Sequence, residues 1–222
     1  MKSMRTLELL DLAHTAAADL LKRFDYPWAA LPEIGSFVKA LGRTLNPADY
    51  REVEENVWLA NSVKRYPGVF FAGPAVIGPG SQLRPGAFIR GNVLVGADCV
   101  VGNSTELKNV ILFDQVQVPH YNYVGDSILG RYAHMGAGAI TSNVKQDKTN
   151  ILLRAGDRRI ETGLRKFGAV LGDHVEVGCN SVLNPGTVVG RGSRIYPLSS
   201  VRGFVPGGSI RKTDGSLTEI RD

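Results

Sequence analysis

Ile77-Gly78-Pro79-Gly80-Ser81-Gln82-Leu83-Arg84-Pro85-Gly86-Ala87-Phe88-Ile89-Arg90-Gly91-Asn92-Val93-Leu94-Val95-Gly96 keeps a beat of six. Stepping by six from Phe71 meets Ile77, Leu83, Ile89, Val95, Val101, Leu107 and Phe113, all apolar. The beat returns at Leu171, Val177, Leu183, Val189, Ile195 and Val201. Gly follows the apolar residue at Gly78, Gly96, Gly102, Gly172, Gly178 and Gly190. Two places before it sits a small or β-branched residue, as at Ala75, Ser81, Cys99, Thr105, Thr187 and Ser193. Helices repeat at 3.6 and strands at 2, so neither gives a period of six. A fixed hexad marks a solenoid of the parallel β-helix kind, three hexads making one eighteen-residue triangular coil. Coils stack about 4.8 Å apart, the spacing of paired strands. The regular part predicts six or seven of them.

Outward from that stretch the beat is less even. It slips between Phe113 and Val118, then runs through Val124, Leu129, Met135 and Thr141. It is absent from Val144 to Gly168, although Thr141 to Leu171 is five hexads long. Part of this polar, basic excursion is therefore predicted to continue the coils while the rest projects as a loop. The organisation expected is a helical cap over residues 1–56, a β-helix over 57–205 with an inserted loop at 144–168, and a tail over 206–222. In the cap, Leu7, Leu10, His14, Ala17 and Leu21 recur at helical spacing, which predicts a helix from Thr6 to Phe24. Asp25-Tyr26-Pro27 stops it. A second helix is expected from Pro32 to Leu41, ended by Gly42. A short third is expected from Asn46-Pro47. In the tail, Asp214-Gly215 signals a turn.

The chain has 222 residues, 43% of them hydrophobic, and a net charge of +5. No run approaches the ~18 apolar residues of a membrane span. Charges at Lys2, Arg5, Glu8, Asp11 and Asp19 leave no signal-peptide core. Two cysteines, Cys99 and Cys179, read as free thiols of a reducing cytoplasm, and the expected location is cytoplasmic. Arg154, Arg158, Arg159, Arg165 and Lys166 concentrate positive charge in one window. Such a window suits a nucleic acid, a membrane surface or small anions, or is a solvated loop. No aromatic interleaving or nucleic-acid module accompanies it. Neither nucleic acid nor membrane is the expected partner.

Stacked apolar residues fill the prism, so chemistry must sit outside. His120 falls outside the core positions near the slip, and histidine takes a proton near neutral pH. Its bland counterpart is an outward histidine without a role. Arg90 and Lys108 are eighteen residues apart, one coil, and can converge on one phosphate. The four histidines, His14, His120, His134 and His174, lack the spacing of a metal site, and no catalytic metal is expected.

Val101-Gly-Asn-Ser-Thr-Glu-Leu-Lys-Asn, His120-Tyr-Asn-Tyr-Val-Gly-Asp126 and Gly136-Ala-Gly-Ala-Ile-Thr-Ser-Asn143 resemble the acetyltransferase half of the bifunctional enzyme that makes UDP-N-acetylglucosamine. The whole chain is similar to short stand-alone proteins of the UDP-N-acetylglucosamine pyrophosphorylase-related type. The resemblance covers most of residues 70–205. It implies a single-stranded left-handed parallel β-helix, mainly β, acting as a homotrimer with acetyl-CoA as cosubstrate. It places the general base on His120, sugar-phosphate contacts on Lys108 and Tyr123, and a sugar or acetyl contact on Asn143. The backbone around Ala137 and Cys179 falls where acetyl-CoA lies. Two residues compete for the phosphate arginine. Arg84 copies the local wording, while ungapped spacing from His120 selects Arg90, the preferred assignment.

There are departures. A sugar-contacting Asn of the family is His134 here. Val144-Lys145-Gln146 replaces the usual Tyr-Asp-Gly, and the late lysine is matched loosely by Lys148. No Gly-rich nucleotide loop precedes the coils, so no pyrophosphorylase activity is expected. Two functions follow. One is an acetyl-CoA-dependent N-acetyltransferase acting on an amino-sugar phosphate or nucleotide sugar. The other is a non-catalytic trimer that binds sugar nucleotides or anions.

Overall fold

A computed structural model describes residues 4–220. The first three residues of the expected cap and the last two of the tail lie outside it. The chain is mainly β, a left-handed parallel β-helix with three faces and short helices at its N-terminal end. Eight strands stack on the first face, from Val57–Ala60 to Phe204–Val205, one more than the upper expectation. Its column of inward residues runs Leu59, Ile77, Val95, Leu112, Leu129, Leu171, Val189 and Val205. Leu83, Val101, Val118, Met135, Val177 and Ile195 fill the second face, and Phe71, Ile89, Leu107, Val124, Thr141 and Leu183 the third. All are at most 4% exposed, so the interior is dry and each large side chain contributes ~1.5–3 kcal/mol. Thr141 is the polar exception. Its Oγ1 accepts the Gly125 N–H at 2.8 Å, so the hydroxyl is satisfied.

The slip lies elsewhere than its expected place between Phe113 and Val118. Leu107 pairs with Ile89, eighteen back, but Leu112 pairs with Val95, seventeen back. Each five-residue step falls at the corner between third and first faces, from Leu107 to Leu112 and again from Val124 to Leu129. Corner residues in the left-handed region keep the same count: Asp98, Ser104, Asn109, Gln115, Tyr121, Asp126 and Tyr132. The error has a physical cause. The cap covers the outside of the first face, so Val110, Ile111, Leu112 and Phe113 are all fully buried. Where both sides of a strand are covered, apolar character no longer tells inward from outward.

The expected Thr6–Phe24 helix is three short pieces, Thr6–Leu9, Leu12–His14 and Ala18–Leu21. Its backbone hydrogen-bonds to the prism instead. Asp173 donates its N–H to Leu9 O at 3.0 Å, Asp11 N–H donates to Asp173 Oδ2 at 2.8 Å, and Asp114 N–H donates to His14 O at 3.1 Å. Arg131 Nη1 donates to His14 Nε2 at 2.8 Å, which fixes His14 as a packed acceptor. The second helix is Ile34–Thr44, and Gly42 lies inside it rather than at its end. A Cβ there would come 2.1 Å from Trp58, so the glycine lets the helix settle on the first face. Asn46-Pro47 makes only a turn before the strand Tyr50–Glu54.

The 144–168 excursion leaves the coils except at its last residue, Gly168, whose N–H donates to Asp126 O at 2.8 Å in the ladder. Val170 stands 42 positions after its stacking partner Ile128, where a plain coil gives 18, so 24 residues are inserted. They form a hairpin of Leu152–Ala155 and Arg158–Glu161, closed at its neck where Phe167 N–H donates to Asn143 O. Ile151, Leu153 and Phe167 are buried, and Phe167 stacks on Trp28 of the cap with ring centroids 5.7 Å apart. The coils also run past Pro206. Ser209–Arg211 still pairs in parallel with Arg194–Ile195, then turns back against Leu217–Glu219. Among the described residues no helix is long and apolar enough to cross a membrane.

Gly102 tests the stacking. A Cβ there would sit 1.5 Å from Pro119 O, a backbone atom held by the ladder. Gly102→Ala should cost at least ~3 kcal/mol in denaturant unfolding. Gly156, with φ +59 but open space around it, should cost ~1 kcal/mol when changed to Ala. Equal costs would refute the close approach.

Candidate functional site

Most of the expected site residues fall on the third face and its two edges. At the edge shared with the second face, Asn103, His120, Ala137 and Cys179 form one column. A backbone ladder joins them: Tyr121 N–H to Asn103 O, Gly138 N–H to His120 O at 3.0 Å, Asn180 N–H to Ala137 O at 2.8 Å, and Leu198 N–H to Cys179 O. The expected base and the expected acetyl-CoA backbone thus share a column. The amides of Ala137 and Cys179 find no acceptor among the described residues, and both positions reach solvent. Buried Asn122, which sequence reasoning missed, locks this edge. Its Oδ1 accepts the His120 N–H, and its Nδ2 donates to Gly136 O at 2.9 Å and Ala139 O at 3.0 Å. The His120 side chain is exposed, with no side-chain partner among the described residues.

The third face and its far edge hold Arg90, Lys108, Tyr123 and Asn143. Arg90 and Lys108 do sit one coil apart, but each already has a carboxylate. Arg90 Nη1 donates to Glu106 Oε1 at 2.7 Å, and Lys108 Nζ donates to Asp126 Oδ1 and Oδ2 at 3.0 and 3.1 Å. Asp126 is buried at the shortened corner and is a hub. Asn109 Nδ2 donates to it at 3.0 Å and to Leu31 O of the cap at 3.2 Å, while Asn143 Nδ2 donates to it and to the Tyr123 hydroxyl. Burial first, then the Asp126 and Glu106 carboxylates, raises the Tyr123 phenol above its usual range, so it keeps its proton. The hydrogen bond and charge of Glu106 raise Arg90. Sequence reasoning missed Glu106 and Asp126. Register stacks Lys108 on Gly125, and Asp126 is the next residue, at the shortened corner that sequence reasoning misplaced.

Arg84 lies on the His120 edge, level with Gly102, not on the Arg90 edge. Lys148 is exposed in the insertion. His134 stands apart on the second face, lining a concavity of about 430 Å³ with Gln115, Gln117, Tyr132, His174 and Glu176. Its Nδ1 lies 2.8 Å from Glu176 Oε2. The 24-residue insertion hid that pair, 42 positions apart, from sequence reasoning. Cys99 is buried and its thiol is pushed up to about 12 by burial, whereas Cys179 is exposed, and both are free. Among the described residues no group of three or more His, Cys, Asp or Glu side chains could hold a metal ion.

Residues 71–193 match the GMPPB C-terminal domain family. Similar proteins include the bifunctional protein GlmU of Methanococcus vannielii, 40% identical over 111 residues, 50% of this chain and 27% of that protein. A bifunctional sugar-1-phosphate nucleotidylyltransferase/acetyltransferase of Sulfurisphaera tokodaii is 34% identical over 135 residues, 61% of this chain and 32% of that protein. The chain spans about a quarter to a third of the length of these curated relatives. Among solved structures, a mutant of AntD, an N-acyltransferase from Bacillus cereus, in complex with dTDP-4-amino-4,6-dideoxyglucose and coenzyme A, is 15% identical. That likeness covers 78% of this chain and 91% of that one, with a TM-score of 0.44.

Asp126→Asn removes the counter-charge of half-buried Lys108 and sets an amide against those of Asn109 and Asn143. It should cost about 2–4 kcal/mol in denaturant unfolding. A loss below about 0.5 kcal/mol would mean the hub is not what holds this corner.

Proposed function

The chain belongs to the GMPPB C-terminal domain family, and from that premise we propose that it is an acetyl-CoA-dependent N-acetyltransferase whose acceptor is an amino sugar bearing phosphate or a nucleotide. The observation that carries this reading is the column of His120, Ala137 and Cys179, a proton acceptor in line with two unpaired amides on one solvent-facing edge. Acetyl-CoA supplies the acetyl thioester. The Ala137 and Cys179 N–H groups are placed to hold it and to donate to the carbonyl oxygen as negative charge develops there. Asn122 holds the His120 backbone against the Gly136 and Ala139 carbonyls, so the imidazole is carried at a fixed height beside those amides. His120 takes the proton of the attacking amine as the new C–N bond forms, and the CoA sulfur leaves as the C–S bond breaks.

Arg90 and Lys108 are the phosphate ligands of this reading. Their carboxylate partners do not exhaust them. Arg90 uses one of five N–H donors on Glu106, and the Lys108 ammonium keeps a third N–H beyond its two bonds to Asp126. Tyr123 lies on the face between the two edges and Asn143 at the far edge beside Asp126, both ready to contact a sugar. Asn103, level with His120, and Lys108 are five residues apart across the third face, up to about 16 Å at strand rise. That width suits an acceptor with an extended phosphate arm, or a site completed by a second copy in a homotrimer of 24.0 kDa chains. Free Cys99 and Cys179 suit a cytoplasmic location.

One observation favours a second reading. Among the described residues His120 has no orienting carboxylate while His134 has one, so the His120 edge serves binding alone in a non-catalytic sugar-nucleotide trimer. Turnover decides. With acetyl-CoA and amino-sugar phosphates or nucleotide-linked amino sugars, His120→Ala should lower kcat ~10²–10⁴-fold. An unchanged rate removes His120 from the mechanism, and tight nucleotide-sugar binding without acetyl-CoA binding selects the second reading. Thiol alkylation checks the donor site. Cys179 should react in the folded protein and be shielded by acetyl-CoA, while Cys99 should react only after unfolding. No shielding of Cys179 would place the donor elsewhere.

A further inference from the structure

The insertion creates a concavity of about 440 Å³ against the prism, lined among others by Lys145, Asp147, Arg154, Arg159 and Arg202. Its charge is unbalanced. The one carboxylate of that group, Asp147, is already matched by Lys145 Nζ at 3.1 Å and held by the N–H and hydroxyl of Thr149. Arg154, Arg159 and Arg202 have no carboxylate within 4.0 Å among the described residues. These are unlike Arg90 and Lys108, whose charge is already matched.

The hairpin carries a second anomaly. Arg154 and Arg159 are direct cross-strand partners, on the side of the hairpin opposite the Leu153–Ile160 pair that joins the core. Like charges placed directly opposite each other destabilise a strand pair. A solvated loop has no reason to oppose two guanidiniums and then bring both against a third from the coils. A bound anion gives it one.

The basin also has a definite place on the prism. Register puts Gly125 above Lys108, Ser142 above Gly125, Asn184 above Ser142 and Arg202 above Asn184, one column along the third face. Arg202 is thus four coils from Lys108, about 19 Å at strand spacing. Guanidinium forks match phosphate oxygens two at a time, and three of them suit a ligand with adjacent phosphates.

We propose that Arg154, Arg159 and Arg202, with Lys145, form a diphosphate-binding site that grips the pyrophosphate of a nucleotide. Two ligands share that chemistry, a nucleotide-linked sugar and CoA itself. The site rests on its own charge and geometry. Only the link to those two ligands rests on the acyl-transfer reading, and the test separates them.

Calorimetry with inorganic pyrophosphate on the full chain should show binding that weakens as NaCl rises from about 50 to about 300 mM. Arg154→Gln/Arg159→Gln and Arg202→Gln should each weaken it roughly tenfold or more. Arg194→Gln, on the second face, should leave it unchanged. Because the opposed arginines repel, Arg159→Gln should raise the Tm of the ligand-free protein by about one or two degrees while reducing the rise that pyrophosphate gives the parent. That combination is not produced by misfolding. Displacement of pyrophosphate by UDP assigns the basin to the acceptor, and displacement by CoA assigns it to the donor. No pyrophosphate binding, equal binding by the arginine variants, or displacement by neither nucleotide overturns the proposal. Pyrophosphate binding in a protein that never transfers acetyl groups would sink the enzymatic reading and leave the basin standing.

Discussion

Every coil must return to the same corner one strand spacing higher, or the hydrogen-bond ladder fails on all three faces at once. That closure condition governs the rest of the molecule. It makes residues seventeen or eighteen apart into neighbours, and it confines changes of length to corners. A one-residue deletion is absorbed between Leu107 and Leu112 and repeated between Val124 and Leu129, so both coils stay in step. An insertion of 24 residues is absorbed at the same edge, with its neck pinned by Phe167 N–H on Asn143 O. The shortened corner draws Asp126 inward, and the buried carboxylate becomes tolerable because Lys108, Asn109 and Asn143 all donate to it. Those donors bring a coil, the corner that faces the cap and the neck of the insertion to one point. The irregularity of the solenoid and its densest polar network are one feature.

How much of this could be read in advance depended on what each residue faces. Leu83, Val101, Ile89 and Leu183 were legible because their strands have one dry side and one wet side. The true slip was not, because the cap hides the outer side of Val110–Leu112 and removes the contrast that carries register. The N-terminal helix failed for a related reason. Its periodicity is real, but Leu9, Asp11 and His14 give their backbone groups to Asp173 and Asp114, a choice visible only once the prism stands beside them. In the candidate site, the columns of His120 with Ala137 and of Arg90 with Lys108 follow from counting. Glu176 beside His134 does not, since an insertion of unknown length separates them. Nor does counting show that Arg90 and Lys108 are already paired, because charge compensation depends on rotamers as well as register.

The contrast between paired and unpaired cations organises the third face. Near the shortened corner, Glu106 and Asp126 pair with Arg90 and Lys108, which lowers the conformational entropy those side chains would lose on binding in the proposed site. Such cations orient a ligand more than they attract it. At the other end of the column the opposite holds. Among the described residues, Arg154, Arg159 and Arg202 are exposed and have no carboxylate within 4.0 Å, and a field of that kind draws anions from a distance.

That difference in kind gives the insertion a physical meaning. The edge of a plain hexapeptide coil encloses a charged ligand on only one side. Folding the hairpin back, with Leu153 and Phe167 buried against prism and cap, adds a second wall where the column of Ser142, Asn184 and Arg202 supplies the first. The apolar side of the hairpin provides the anchorage, which frees its other side to carry charge that would be unfavourable in the absence of a partner. Burial on one face of the hairpin thus offsets repulsion on the other, and the opposed arginines persist because Ile151, Leu153 and Phe167 over-determine the fold around them.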